Sequence, residues 1–191
     1  GVNETIESVI WISDLRSFTR MSDEFAPPVM LGILNDHFER VVGAIADHGG
    51  EVLKFMGDSV LAIFPVDPGL GPQPAVDAAI KAVRDATTRI EKGNAARREK
   101  GLVEIGFGIA LHHGNVVYGN IGAPDRLDFT VIGPAVNQTA RIEALCRTLS
   151  RPVLVSQRIA DAAQSELVSL GFQALRGVRE PQEIFTLPEY A

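Results

Sequence analysis

Cysteine is almost missing from this sequence: Cys146 stands alone among 191 residues. A single thiol closes no internal disulfide, so nothing asks for an oxidising compartment, and a reducing cytoplasm is the expected setting. Dense basic clusters are missing as well. The 18 Lys and Arg residues are scattered among 24 Asp and Glu, the net charge is -6, and the tightest basic run is Arg97, Arg98 and Lys100. A nucleic-acid surface normally needs a concentrated basic stripe, so no nucleic-acid partner is expected. Long apolar runs are lacking too. Val9-Ile10-Trp11-Ile12 and Val60-Leu61-Ala62-Ile63-Phe64 fall far short of the roughly 20 residues of a membrane-spanning helix. Direct membrane insertion by this segment is therefore not expected, and no signal-peptide pattern is visible. The chain opens on Gly1 rather than Met, which fits a piece of a longer protein with regulatory or membrane-attached parts elsewhere.

What is present reads as one compact domain over residues 1–191, with 46% hydrophobic and 22% charged residues. Residues 8–14 are an apolar β-rich run ending on a carboxylate, followed by a turn into a short helix. From Pro27 apolar residues recur at helical spacing until His48-Gly49-Gly50. Residues 51–55 and 59–64 form a hairpin around Met56-Gly57-Asp58, a Pro- and Gly-rich loop covers 65–74, and a second long helix runs to about Lys100. Residues 102–111 and 116–121 read as two strands separated by a turn at His112-His113-Gly114-Asn115. A strand over 128–132, a helix over 134–149 opened by Pro134, and short strands over 153–155 and 183–187 follow. The order predicts an α+β fold: a ferredoxin-like βαββαβ core with helices on one sheet face and additional C-terminal strands and helices. Trp11 and the phenylalanines are expected in the core.

Two carboxylates stand out. Asp14 ends the first strand and Asp58 sits in the turn after the second, with a helix crossing between them, so the two strands run parallel and, as neighbours, end at one edge. Each alone is an ordinary turn aspartate. As a pair they repel unless a cation or a proton lies between them, and oxygen ligands beside phosphate favour Mg²⁺ or Mn²⁺. Backbone N–H groups up to Thr19, at a helix start, offer a place for phosphate.

Three blocks carry a resemblance: residues 12–19 (Ile-Ser-Asp-Leu-Arg-Ser-Phe-Thr), residues 54–64 around Met56-Gly57-Asp58-Ser59, and residues 130–141 from Thr130 through Gly133 and Asn137 to Arg141. In this order they closely resemble the class III adenylate/guanylate cyclase catalytic domain, and the likeness extends through residues 106–109, 114–122 and 175–178 to nearly the whole chain. The resemblance implies conversion of ATP to cyclic AMP and pyrophosphate with two divalent ions, Mg²⁺ or Mn²⁺. It makes Asp14 and Asp58 metal ligands, with the Leu15 carbonyl a further one, and Asn137 and Arg141 the transition-state pair. Phe18, Thr19 and Gly57 become substrate-binding candidates beside the metals, and Arg176 and Arg126 candidates for holding the polyphosphate.

Lys54 and Thr130 match the family's purine-reading pair. A lysine can donate to adenine N1 and a threonine hydroxyl can accept from the adenine amino group, whereas a guanine site wants an acceptor such as Glu at the first position. Many adenylate cyclases carry Asp where this chain has Thr130; the threonine is similar to the subgroup called IIIb, some of whose members respond to bicarbonate. The family also implies a homodimer with each active site shared at the interface, because base and metal-bound phosphates lie at opposite ends of ATP while Lys54 is only four residues before Asp58. Guanylate cyclase activity and a catalytically silent, nucleotide-binding regulatory role are the alternatives left standing.

Overall fold

The computed structural model describes residues 3–191. Its frame is one mixed eight-stranded sheet in the order β2-β3-β1-β4-β6-β8-β7, with β5 paired to β4 off that path. The first four strands are β1 (Asn3–Leu15), β2 (Glu51–Met56), β3 (Ser59–Pro65) and β4 (Phe107–Ala123). Both β3 and β4 pair antiparallel with β1. With the helices α1 (Phe18–Glu24), α2 (Pro27–Asp47) and α3 (Gln73–Glu99) between them, they form the βαββαβ core expected from the order of elements. β1 and β2 run parallel, as a crossover requires, but they are not neighbours: β3 lies between them.

Alternation along β1 sorts the core into two sides. Val9 and Trp11 pack with Val41, Ala44, Ile45, Val76, Ile80 and Val83 from α2 and α3, while Ile10 and Ile12 face the other way, with Leu61, Ile63, Val116 and Val131. Trp11 is wholly buried, and its indole N–H donates to Ser13 Oγ at 2.9 Å. Truncating such a residue to alanine costs about 3–5 kcal/mol. Phe55, Phe129 and Phe172, by contrast, are exposed, so the phenylalanines are not uniformly core.

Three further expectations change. The helices do not all share one face: α4 (Pro134–Thr148) covers the opposite side, packing Ile142 and Cys146 on Ala110, Leu154 and Ile184. Residues 102–106 are not a strand, because the buried Asn94 of α3 holds that segment to the helix, donating to the Ile105 carbonyl at 2.9 Å and accepting from its N–H at 2.7 Å. His112 and His113 are not in a turn. Both are buried inside a β4 that runs unbroken through them, with His112 Nδ1 bonded to Ser156 Oγ at 2.7 Å and His113 paired with Glu7.

Beyond Val116, β4 continues as a hairpin arm with β5 (Arg126–Ile132), whose flank leaves Ile121, Leu127, Phe129 and Ile132 exposed. The sheet is completed by β6 (Val153–Ser156), parallel to β4, then β7 (Val168–Gln173) and β8 (Gln182–Thr186), with the short α5 (Gln157–Ala162) before β7. No helix among the described residues is long and apolar enough to cross a membrane.

Candidate active site

Asp14 emerges from β1 one residue beyond the Ser13–Val60 pair, so it stands beside the start of β3 and the turn that holds Asp58. The Leu15 N–H donates to Asp58 Oδ2 at 3.1 Å, tying the second carboxylate to the strand that carries the first. Ser17 then adopts a left-handed backbone, φ 61, a conformation that costs a non-glycine residue roughly 1 kcal/mol. That bend turns the chain into α1 directly above the carboxylates. The result is a cavity of about 560 Å³ lined by Asp14, Leu15, Ser17, Phe18, Thr19, Arg20, Asp23, Asp58 and Arg147.

The electrostatics are those of crowded negative charge. Burial first, and then Asp58, push the Asp14 carboxyl above its ordinary range, while Arg16 and Arg147 pull it down. Glu143 of α4 hydrogen-bonds to Asp14 and is pushed up to about 9 by burial and by that neighbour, so the pair favours holding a proton between its two carboxyls. Arg16 fixes this arrangement: its Nη2 donates to the carbonyls of Cys146 at 2.7 Å and Arg151 at 2.9 Å, joining the end of β1 to the end of α4.

Among the described residues no cluster of three or more His, Cys, Asp or Glu side chains forms a self-sufficient metal cage. The protein donors on offer are two carboxylates and the Leu15 carbonyl, all hard oxygens beside a cavity with room for more than one phosphate group. That set fits Mg²⁺ or Mn²⁺, which keep several positions for water and substrate phosphate.

The remaining sequence candidates lie elsewhere. Lys54 is exposed on β2 opposite Leu61, just past a bulge. β5 reaches across to touch β2, and on it Thr130, paired with Gly119, is buried with no partner for its hydroxyl. Asn137 is exposed in the first turns of α4, Arg141 is half-buried one turn later, and Arg176 is exposed in the segment between β7 and β8. Gly57 occupies the hairpin turn with φ 61, and Arg126 sits at the tip of the β4–β5 arm opposite Ala123. None of these seven lines the carboxylate cavity. The structure thus brings Asp14, Leu15, Phe18, Thr19 and Asp58 together and holds the purine-reading and transition-state candidates apart from them.

Sequence reasoning missed Glu143, Arg147 and the anchoring role of Arg16. The signal was in the helical spacing. Asn137 and Arg141 are four apart, as are Glu143 and Arg147, but the step from Arg141 to Glu143 turns the helix by roughly 200°. α4 therefore carries two polar stripes on different sides, one facing the cavity of its own chain and one facing away.

Residues 2–188 match the family model of the adenylate and guanylate cyclase catalytic domain. The chain is similar to an adenylate cyclase of Anabaena cylindrica, 33% identical over 163 residues that cover 83% of this chain and 31% of that protein. It is also similar to adenylate cyclase 1 of Rhizobium meliloti (strain 1021), 32% identical over 152 residues covering 78% of this chain and 22% of that protein. The chain spans less than a third of the length of either relative. Among solved structures, an adenylyl cyclase of P. aeruginosa shares the fold with a TM-score of 0.87 at 23% identity, covering 97% of this chain and 95% of that one. A guanylyl cyclase structure superimposes with a TM-score of 0.80 at 29% identity, covering 97% and 92%.

Proposed function

Because the chain belongs to the adenylate and guanylate cyclase catalytic domain family, we propose that it makes 3′,5′-cyclic AMP and pyrophosphate from ATP, as a homodimer whose two active sites are each shared between chains. In the reaction the ribose 3′-oxygen forms a bond to the α-phosphorus. The bond from that phosphorus to the oxygen bridging to the β-phosphorus breaks, pyrophosphate departs with that oxygen, and the 3′-hydroxyl proton passes to solvent. Two divalent cations held by Asp14, Asp58 and the Leu15 carbonyl would supply acidification of the 3′-hydroxyl and neutralisation of the triphosphate.

The chain's own residues account for the rest. N–H groups at Phe18 and Thr19, where α1 begins without a side-chain cap, suit the phosphate oxygens. Arg147 and Arg20, at the rim of the same cavity, add positive charge on the metal-bearing side. From the partner chain, Asn137 would orient the ribose, Arg141 would stabilise charge growing on the α-phosphate, and Arg176 would hold the polyphosphate.

The observation that carries the choice of purine is the donor-only Lys54 on β2, touched by the strand that bears the buried, unpartnered Thr130 hydroxyl. A buried hydroxyl left unpaired is costly, and an adenine amino group donating to it, or a guanine O6 accepting from it, removes that cost. Lys54 donates to adenine N1 and meets a donor, N1–H, on guanine. The test is the purified protein with Mg²⁺ or Mn²⁺ and either ATP or GTP, with the cyclic products separated. Guanylate cyclase activity is the second reading, favoured by the 29% identity to a solved guanylyl cyclase; a kcat/KM for GTP equal to that for ATP would select it.

A further inference from the structure

The Arg141 guanidinium does not hang free from α4. Residues 175–178 form a turn closed by the Val178 N–H donating to the Leu175 carbonyl at 3.0 Å. Leu175 is buried in the same apolar cluster as Ile142 of α4, so the turn is pinned to the helix that carries Arg141. Gly177 within it has φ +79. A Cβ built on Gly177 would stand 3.1 Å from Arg141 Nη2, 3.2 Å from Cζ and 3.2 Å from Nη1. Near-equal distances to three atoms of one planar group set the glycine over the face of the guanidinium, closer than the roughly 3.5–4.0 Å of ordinary carbon contact. A side chain there would press the guanidinium away by a few tenths of an ångström, and the positive φ of Gly177 adds backbone strain to any such substitution.

Among the described residues the Arg141 guanidinium makes no hydrogen bond. Arginines 20, 84, 89 and 98 are in ion pairs, and among the described residues Arg141 has none. An arginine locked by a carboxylate would spend its charge on that partner. One seated by shape against a bare backbone keeps its charge and its N–H donors for a phosphate oxygen.

We infer that Gly177 is a positioning residue whose missing side chain forms the seat for the Arg141 guanidinium, so that the turn over residues 175–178 aims Arg141 and carries Arg176 to the same place. The cationic part of the site is then built within one chain before substrate arrives. This rests on the role proposed for Arg141 in transition-state stabilisation.

The experiment is a double-mutant cycle in the purified cyclase, with kcat and KM for ATP measured separately. Gly177→Asn adds the Cβ while tolerating a left-handed backbone, and Gly177→Ala is its companion should one of the two fold poorly; thermal melting identifies the folded variants. A Cβ there displaces the guanidinium by a few tenths of an ångström, a fraction of the roughly 1 Å that costs about 100-fold, so kcat should fall by about 3- to 10-fold with KM changed by less than about twofold. In an Arg141→Ala background the same substitution should change kcat by less than about twofold, because the group it displaces is gone. Three outcomes overturn the seat: wild-type kcat in a folded Gly177 variant, a rise in KM alone, which would point to Arg176, or the full loss repeated in the Arg141→Ala background. Wild-type kcat in Arg141→Ala itself removes the role of Arg141 and the inference with it, a result distinct from the other three.

Discussion

The backbone N–H of Leu15 donates to Asp58 Oδ2 at 3.1 Å, so the residue following one candidate metal ligand holds the other. The bond couples the end of β1 to the β2–β3 turn and keeps two carboxylates together at the mouth of the cavity despite their repulsion. Replacing Asp58 therefore removes both a ligand and a tether.

Asp14→Ala and Asp58→Ala should each lower cyclic nucleotide formation by more than about 100-fold, since losing even a hydrogen-bond partner of a metal ligand can cost 10–100-fold. Product formation with Mg²⁺ or Mn²⁺ measures this, and circular dichroism reports the fold. A folded variant with near-normal turnover would remove the two-carboxylate metal site.

Purine choice should follow Lys54. The Lys54→Glu variant offers an acceptor where guanine N1–H and its 2-amino group need one, so its ratio of kcat/KM for ATP to that for GTP should drop by at least about tenfold. Competition assays with both nucleotides give the ratio directly. An unchanged ratio would place base recognition away from β2.

Much of this geometry was legible because it is local. Asp14 and Asp58 were readable where an apolar run stops on a carboxylate and where Gly57 permits a tight turn. The intervening β3 was less so, since crossover logic gives direction but not neighbours. His112-His113-Gly114-Asn115 carries turn chemistry and misled, because a strand between β1 and β6 overrides local preference by burying its polar residues against partners such as Ser156 and Glu7. Glu143 and Arg147 look in sequence like an ordinary solvated stripe. Only the anchoring of α4 by Arg16 shows that this stripe faces Asp14.

Glu143 gives the protein a pH-dependent stability when no metal is bound. Burial and the neighbouring Asp14 raise its carboxyl to about 9 in the native state, whereas the ordinary value is 4.5. Between those values Glu143 binds more proton in the native state than in the unfolded one, so its contribution to stability is fully present below pH 4.5 and is lost as pH rises through the window. Glu143→Gln keeps a donor for Asp14 without the proton uptake. In chelator, melting curves from pH 5 to pH 9 should show the wild type losing ground, with the variant higher by about 3 °C or more at the alkaline end. Parallel curves would mean that Glu143 titrates normally.

The strongest test concerns the division of labour between chains. Asp14 and Asp58 line one cavity, and Asn137, Arg141, Lys54 and Thr130 do not, while α4 turns its Glu143 and Arg147 stripe toward that cavity and its Asn137 and Arg141 stripe away. A complete site then needs the carboxylates of one chain and the second stripe of another, and a two-fold axis makes two such sites. Asp14→Ala and Arg141→Ala homodimers should each be inactive, for each carries the same lesion in both sites. In an equimolar mixture with free exchange half the dimers are heterodimers, each with one site carrying both lesions and one carrying neither. Half the dimers with half their sites intact predicts recovery to about a quarter of wild-type activity. Exchange is verified with protomers carrying different tags, purified in tandem. If heterodimers form and activity stays at the level of the parents, the sites are not shared, and base and phosphate recognition belong within one chain.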